Sequence, residues 1–367
     1  MTPPPPIDTG LHLILRIDEP TLSAGTREVL RELRPVGVHF GRDAFLHDEP
    51  YATWAGAFQR LRTEIQRATA RPRMVYALDH EGGRVHRVPA PLTHFPYPLN
   101  WQDDAAAVGR AIGTELRALG CNVVFGPCLD VFGEPDNRVI GPRAFGVTAA
   151  QVMQHAVPYI EAVEAQGVRA VGKHFPGHGS TLLDSHFDLP TLDTSLADLV
   201  DGDLTPFIAA AEAALGAVMS AHIRFNSIDP QWPASLSPII TQQLLRERLG
   251  YAGVVIADDF DMKAVADRYH LEVLAERMLA VPIDMVIFNH HYERAKAMLE
   301  EMHRRGADDA GARVRLGQAR ARVESWLAQL PPEAPTVLDA EQLAAHDALA
   351  QRIGERYSVQ IEEFTGA

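Results

Sequence analysis

The chain has 367 residues, of which 46% are apolar and 22% are charged, a composition typical of a globular protein. No apolar run approaches the roughly 18 residues that a membrane-spanning helix needs, so no transmembrane segment is predicted. The 48 acidic residues outnumber the 34 basic ones and give a net charge of −14. This balance argues against nucleic-acid binding, because contacts with a phosphate backbone require clustered positive charge.

The start of the chain and its cysteines bear on where the protein works. The first ten residues, MTPPPPIDTG, lack the basic and apolar regions of a secretory signal. Prolines 3–6 predict a disordered leader over residues 1–9, because proline donates no backbone hydrogen bond. Cys121 and Cys128 are too few for a disulfide framework. We therefore expect a cytoplasmic protein.

Short apolar runs alternate along the chain with longer amphipathic stretches. Eight runs predict strands, at 11–17, 36–40, 74–78, 122–125, 170–173, 217–221, 254–257 and Met285–Phe288. Apolar residues at helical spacing lie between several of them, at 52–70, Ala105–Leu119, Ala149–Ala165, 205–215 and 241–249. The alternation predicts an α/β protein with a single (β/α)8 barrel over 10–330, because an open doubly wound sheet usually has fewer strands.

The barrel pattern ends at a group of prolines, Pro331, Pro332 and Pro335. Beyond them, residues 340–357 show one more helical pattern. We therefore predict that 331–367 form a C-terminal helical appendage, to which no role is assigned.

Polar residues gather where the predicted strands end, the face of a barrel that carries its chemistry. The third strand is followed by DHEGGRVHR at 79–87, and the fourth by Asp130 and Arg143. The fifth runs into Lys173 and His174, whose hydrogen-bonding groups suit a polyhydroxylated ligand. Both Asp130 and His222, after the sixth strand, fit a role in holding other site residues in place.

Two further carboxylates are candidates for catalysis. Asp184 lies two residues before His186, close enough to orient its imidazole and stabilise the charged form, although a structural pair within the loop is the alternative. Asp258 directly follows the run 254–257, so its carboxylate is predicted to point into the barrel mouth as nucleophile or electrostatic stabiliser. Asp259 fits the N-cap of the next helix.

A metal centre is the main alternative chemistry, because the chain has 16 histidines and His174, His178, His186 and Asp188 fall within 15 residues. The proline and glycines between His174 and His178 prevent the helical spacing that would place both on one face. No metal and no other cofactor is therefore predicted.

The motifs resemble those of bacterial β-N-acetylglucosaminidases of glycoside hydrolase family 3. The resemblance rests on KHFPGHG at 173–179 followed by DSH at 184–186, on DHEGGRVHR at 79–87, on PASLSP at 233–238 and on GVVIADDFDM at 253–262. It extends over about residues 10–330.

The resemblance implies a (β/α)8 barrel, in agreement with the strand count, and assigns roles to individual residues. Asp258 maps onto the nucleophile of a retaining mechanism, and His186, with Asp184 as its partner, maps onto the general acid/base. A histidine with an ordinary pKa of about 6.5 suits this role because it populates both protonation states at cytoplasmic pH. Five residues map onto those that hold the N-acetylglucosamine ring: Asp79, Arg87, Arg143, Lys173 and His174.

The sequence departs from the family pattern at a few points. Ala257 stands where many members have Ser or Thr before the nucleophile, and Val281-Pro282-Ile283-Asp284 replaces an Ala-Gly-x-Asp segment before the eighth strand. Larger members carry a second α/β domain after the barrel. Because this sequence ends first, no contribution of such a domain to the site is expected.

The function expected from the resemblance is hydrolysis of terminal β-linked N-acetylglucosamine, from anhydro-muramyl peptides during cell-wall recycling. A phosphorylase is an alternative, because a histidine acid/base repels phosphate less than a carboxylate does; a β-glucosidase is another. Two alternatives lie outside glycosidase chemistry: a metal-dependent amidohydrolase and an inactive sugar-binding barrel. The presence of Asp184, His186 and Asp258 argues against the inactive barrel. The expected partner is a small carbohydrate, without nucleic acid or membrane, and the sequence is compatible with a monomer.

Overall fold

The structure is a computed structural model that describes residues 7–181, 185, 188–331 and 335–356. Its centre is a closed barrel of eight parallel strands: β1 (Leu13–Ile17), β2 (Gly37–Phe40), β3 (Val75–Leu78), β4 (Val123–Val124), β5 (Arg169–Phe175), β7 (Ala217–Ser220), β9 (Val254–Asp259) and β10 (Met285–Phe288). A separate parallel pair is formed by β6 (Thr191–Leu192) and β8 (Arg224–Phe225). The predicted (β/α)8 barrel is confirmed, whereas the separate pair was not predicted.

Helices surround the barrel. They are α1 (Ala24–Leu33), α2 (Tyr51–Thr69), α3 (Ala105–Leu119), α4 (Ala149–Ala165), α5 (Leu196–Asp201), α6 (Thr205–Glu212), α7 (Lys263–Ala266), α8 (Leu271–Ala280), α9 (Tyr292–Asp308), α10 (Ala310–Ala328) and α11 (Ala340–Arg356). The stretch predicted as a helix at 241–249 is a π-helix, Ile239–Arg248. Within the described part of the chain, every helix is too short or too polar to cross a membrane.

The apolar core has two layers, because successive side chains of a strand point to opposite faces. One cluster lies inside the barrel and is closed at its lower end by Trp326 and Leu327 of α10. The other lies between the strands and the surrounding helices. Burial on both faces explains why the strands appear in the sequence as continuous apolar runs.

Strand ends differ from the prediction at positions that matter for the site. The strand predicted at 254–257 continues through Asp259, which pairs with Ile287 of β10. The strand predicted at 170–173 extends to Phe175, and the one at 122–125 is reduced to Val123–Val124. Asp258 and His174 are therefore strand residues rather than loop residues.

The segment that departs from the family pattern before β10 is tied firmly to the barrel. Asp284 is fully buried and accepts a hydrogen bond from the backbone N–H of Val255 at 2.8 Å. Its two carboxylate oxygens also pair with Arg246 and Arg322, each at 2.8 Å. The aspartate thus joins β10 to β9 despite the proline two residues before it.

The C-terminal helix packs against the outside of the barrel. Leu349, Ala350 and Ile353 of α11 are buried, and the helix contacts α3. The predicted helix at 340–357 is confirmed, ending at Arg356.

Candidate active site

Side-chain alternation determines which polar residues face the barrel mouth. In β9, Val254 and Ile256 belong to the cluster inside the barrel, whereas Val255 and Ala257 belong to the outer cluster. Asp258 is the next-to-last residue of β9, and the register against β10 shifts there, because Ala257 pairs with Val286 and Asp259 with Ile287. Asp258 therefore lies at the carboxyl end of the strand, on the face of a barrel that carries its chemistry. Its carboxylate is half-buried and accepts a hydrogen bond from the backbone N–H of Asp259 at 2.8 Å.

In four other strands, the same alternation places a polar side chain on the inner face, near or just after the carboxyl end of the strand. These are His39 of β2, Asp79 after β3, Lys173 of β5 and Asn289 after β10. Parallel barrel strands end on one face, so these side chains converge on the mouth together with Asp258.

Hydrogen bonds and ion pairs link these inner residues across the barrel mouth, both between the neighbouring strands β2 and β3 and between strands that have another strand between them. Asp79 contacts Lys173 Nζ through Oδ1 at 2.7 Å and His39 Nε2 through Oδ2 at 2.9 Å. The other ring nitrogen of His39 lies 3.4 Å from Asn289 Oδ1. Burial opposes the ionisation of Asp79, but Lys173 and His39 outweigh it and hold the pKa of this carboxyl well below its usual range.

Glu81 extends the network from β5 to the connection after β4. It pairs with Lys173 Nζ at 2.6 Å and with Arg143 through two parallel hydrogen bonds of 2.8 and 2.9 Å. Burial opposes ionisation here as well, but Arg143 and Lys173 lower the pKa of Glu81 to about 2. Two carboxylates and two cations of this network are therefore fixed in place and balance each other in charge.

His174 is oriented by a buried aspartate. Asp130 Oδ2 accepts from His174 Nδ1 at 2.7 Å, and its Oδ1 accepts the backbone N–H groups of His174 and His178 at 3.2 and 2.7 Å. Burial opposes ionisation of Asp130, but His174 holds its pKa far below the ordinary value. The bond from Nδ1 to Asp130 fixes the orientation of the His174 ring.

Asp259 is not an N-cap, contrary to the prediction, because the following helix α7 is preceded by Met262 in the N-cap position. Its Oδ1 accepts the backbone N–H groups of Asp261 and Asn289 at 2.9 and 3.2 Å. Its carbonyl accepts a hydrogen bond from His222 Nε2 at 3.0 Å. These contacts fix the backbone directly after Asp258.

Burial, together with Asp261 and Asp258 nearby, raises the pKa of Asp259 to about 7. A carboxyl whose pKa is raised by folding stabilises the protein fully below pH ~4, and this contribution is lost as pH rises to about 7. Asp259→Asn keeps the acceptor oxygen but cannot ionise. Between about pH 5 and about pH 8, we therefore expect the free energy of unfolding of wild type to fall by about 3 kcal/mol relative to that of Asp259→Asn.

Urea unfolding of both proteins across this pH range measures the difference. Asp267→Asn, at an exposed aspartate just after α7, is the matched control and should show no comparable trend. A pH-independent difference between Asp259→Asn and wild type would contradict the raised pKa.

Of the remaining predicted site residues, Arg87 lies among the described residues, whereas Asp184 and His186 do not. Arg87 is half-buried, and its charge contributes to lowering the pKa of Asp79. Asp184 and His186 lie outside the described residues. Ser185, between them in the sequence, is buried: its carbonyl accepts from Ala264 N–H at 3.3 Å, and its hydroxyl lies 3.2 Å from His178 Nε2.

Sequence reasoning missed three residues of the network: His39, Glu81 and Asn289. Glu81 lies inside the motif at 79–87, but its burial between Lys173 and Arg143 depends on the tertiary fold and cannot be read from the local sequence. Strand alternation could have identified His39, because this polar residue lies between the apolar residues Val38 and Phe40 of a predicted strand.

One group of metal-ligand type occurs among the residues that the structure describes. Atoms of Cys128, Asp130 and His174 lie within 4.8 Å of one another, and all three side chains are buried. Cys128 Sγ donates to Asp130 at 3.0 Å and His174 donates to the same oxygen. These bonds satisfy the group without an ion, so it is accounted for as the support of His174.

Comparisons with known proteins identify the family of this chain. The sequence profile described as "Glycosyl hydrolase family 3 N terminal domain" matches residues 22–323. Proteins named beta-hexosaminidase from Chromobacterium violaceum and Methylococcus capsulatus are each 35% identical, over 81% and 80% of this chain and 87% of their own length. The structure of a glycoside hydrolase family 3 beta-N-acetylglucosaminidase from Paenibacillus sp. FPU-7 gives a TM-score of 0.84 at 29% identity, covering 95% of this chain and 68% of that one.

Proposed function

Because this chain belongs to glycosyl hydrolase family 3 and is a glycoside hydrolase of the β-N-acetylhexosaminidase type, we propose that it is a retaining exo-β-N-acetylglucosaminidase. The observation that supports the proposal is the place of Asp258 at the carboxyl end of β9, the barrel face that also holds the charged network of Asp79, Glu81, Lys173 and Arg143. A carboxylate beside fixed, neutralised polar groups suits attack on a sugar ring.

Five residues are proposed to hold the N-acetylglucosamine ring: Asp79, Arg87, Arg143, Lys173 and His174. Because ion pairs already fix four of these side chains, they lose little conformational freedom when a sugar binds. The network of Asp79, Glu81, Lys173 and Arg143 is itself balanced in charge, which suits a neutral ring. His174 Nε2, opposite the nitrogen bonded to Asp130, would contact a hydroxyl group.

Asp258 is the proposed nucleophile. Its carboxylate oxygen forms a bond to the anomeric carbon as the bond to the leaving oxygen breaks, giving a covalent glycosyl-aspartate. The N–H of Asp259, 2.8 Å from Asp258 Oδ1, keeps this carboxylate oriented. Water then releases the sugar with retained configuration.

His186, with Asp184 as its partner, is the proposed general acid/base. In its charged form it protonates the leaving oxygen, and in its neutral form it accepts a proton from the attacking water. What supports this is the family motif and the anchoring of Ser185 to α7, the helix that follows β9 and Asp258.

The finer substrate and location are also proposals. We propose anhydro-muramyl peptides as the natural substrates, in the cytoplasm, on the strength of the resemblance of the motifs. Residues 10–330 would form the catalytic unit after a leader at 1–9, with 331–367 as an appendage, no metal or other cofactor, and no partner beyond the carbohydrate.

The proposal is tested by release of nitrophenol from the β-N-acetylglucosaminide and the β-glucoside side by side, each with and without a chelator. We expect turnover of the first, at least about 100-fold above the second in kcat/KM, because a site that binds the acetamido group rejects a ring without it. Chelation should change neither rate.

Three other outcomes distinguish the alternatives. Preference for the glucoside would indicate a β-glucosidase on the same barrel. Acceleration by inorganic phosphate, with a glycosyl phosphate as product, would indicate a phosphorylase. Loss of activity with the chelator would favour a metal-dependent hydrolase and would contradict the mechanism proposed for Asp258.

A further inference from the structure

The C-terminal helix α11 is joined to the connection between β3 and α3, which carries Asp79, Glu81 and Arg87. The junction is Glu115 of α3, whose side chain is fully buried. Glu115 Oε1 accepts from His346 Nδ1 of α11 at 2.8 Å and from the Thr93 hydroxyl at 2.7 Å, while Oε2 accepts the backbone N–H of Thr93 at 3.0 Å. One carboxylate thus holds both a helix outside the barrel and a loop at its mouth.

From Thr93 the contacts continue to the site. His94 Nε2 donates to the carbonyl of Gly83, and Gly83 N–H donates to the carbonyl of Phe95 at 2.9 Å. Gly83 is two residues from Glu81, which holds Lys173 and Arg143. The residues next to Thr93 therefore set the turn on which Glu81 is mounted.

The helix is itself held in place on both sides of His346. Before it, Leu338 N–H donates to the hydroxyl of Tyr51 in α2 at 3.2 Å. After it, Arg356 pairs with Asp104 at 3.0 Å. Since Asp104 belongs to the β3–α3 connection, α11 contacts this connection directly through Arg356 and indirectly through Glu115.

We infer that His346 and Glu115 are positioning residues for the sugar site, acting through Thr93 on the turn that carries Glu81. A buried carboxylate that loses one of its donors is destabilised and shifts toward other partners or water. The segment it holds then becomes less fixed, and the binding of the ring weakens while the chemistry at Asp258 is unchanged. This inference rests on the proposed function for its kinetic readout.

The test compares His346→Leu with His346→Asn, whose amide nitrogen can replace Nδ1 as donor. Arg352→Leu, on the exposed side of the same helix, is the matched control. We expect His346→Leu to raise KM for the nitrophenyl N-acetylglucosaminide about fivefold and to leave kcat within about twofold of wild type. A fivefold change in KM corresponds to about the free energy of one hydrogen bond. The Asn variant should recover most of the affinity, and the control should behave as wild type.

Hydrogen exchange of peptides covering residues 82–96 gives a second readout that needs no turnover. Exchange should accelerate in His346→Leu and in Thr93→Val, which removes the hydroxyl donor and leaves α11 intact, but not in Arg352→Leu. Unchanged exchange at 82–96, or an equal rise in KM for the Leu and Asn variants, would overturn the inference. If wild type lacks the glycosidase activity, the proposed function fails while hydrogen exchange still decides this inference.

Discussion

Asp258→Ala should lower kcat/KM for the nitrophenyl N-acetylglucosaminide by at least about 10⁴-fold, equivalent to more than about 5 kcal/mol of transition-state stabilisation. The physical reason is that Asp258 supplies the electron pair for the glycosyl-enzyme bond, and neither Asp79 nor Glu81 can replace it. Asp79 is committed to Lys173 and His39, and Glu81 to Lys173 and Arg143. The fold should be retained, because Asp258 is a half-buried residue at the end of β9.

A chemical rescue separates a nucleophile from a structural carboxylate. In Asp258→Ala the space vacated by the side chain admits azide, which should restore turnover and give the glycosyl azide of inverted configuration. Asp267→Asn serves as the control for a neutralised aspartate near the same strand and should keep wild-type rates. Residual turnover above about 1% of wild type without azide would point to attack by the acetamido oxygen of the substrate instead, and Asp258 would lose the nucleophile role.

The barrel could be predicted because its two layers of burial produce a simple signal. Strands covered on both faces are continuous apolar runs, and eight of them can be counted between amphipathic stretches. The ends of the strands were harder to predict. Asp258 and Asp259 are polar and were assigned to a loop, whereas pairing of Asp259 with Ile287 extends β9 through both. Register against a neighbouring strand is a tertiary property that one apolar run does not reveal.

The site shows a similar division between local and long-range information. Lys173, Asp79 and Asp258 stand next to apolar runs, so their convergence follows from barrel geometry. The role of Glu81 depends on two cations that lie 62 and 92 positions further along the chain. The link between His346 and Glu115 spans 231 positions and joins a helix without an assigned role to the loop beside the site. Periodicity reports which face of an element is buried, but not which distant charge will meet it.

His186→Ala should reduce kcat/KM by a factor that depends on the leaving group. A glycosidic oxygen in a saccharide is a poor leaving group and needs a proton in the transition state, so a loss of about 10³-fold is expected on a disaccharide. A dinitrophenolate leaves without protonation, and the loss of glycosylation rate there should be less than about tenfold. The measurement is the pair of kcat/KM values for the two substrates, because this ratio reports the first chemical step.

The matched control for this residue is His178→Gln, because His178 is a buried histidine in the same motif region whose ring contacts Ser185 and Thr181. Through Ser185 it can affect the placement of the loop, and such an effect lowers the rates of both substrates by the same factor. His186→Ala should instead change the ratio between them by about 100-fold, because only proton donation depends on the basicity of the leaving oxygen. Equal losses on the two substrates in His186→Ala would assign the acid role to another residue and leave His186 with the same positioning effect as His178.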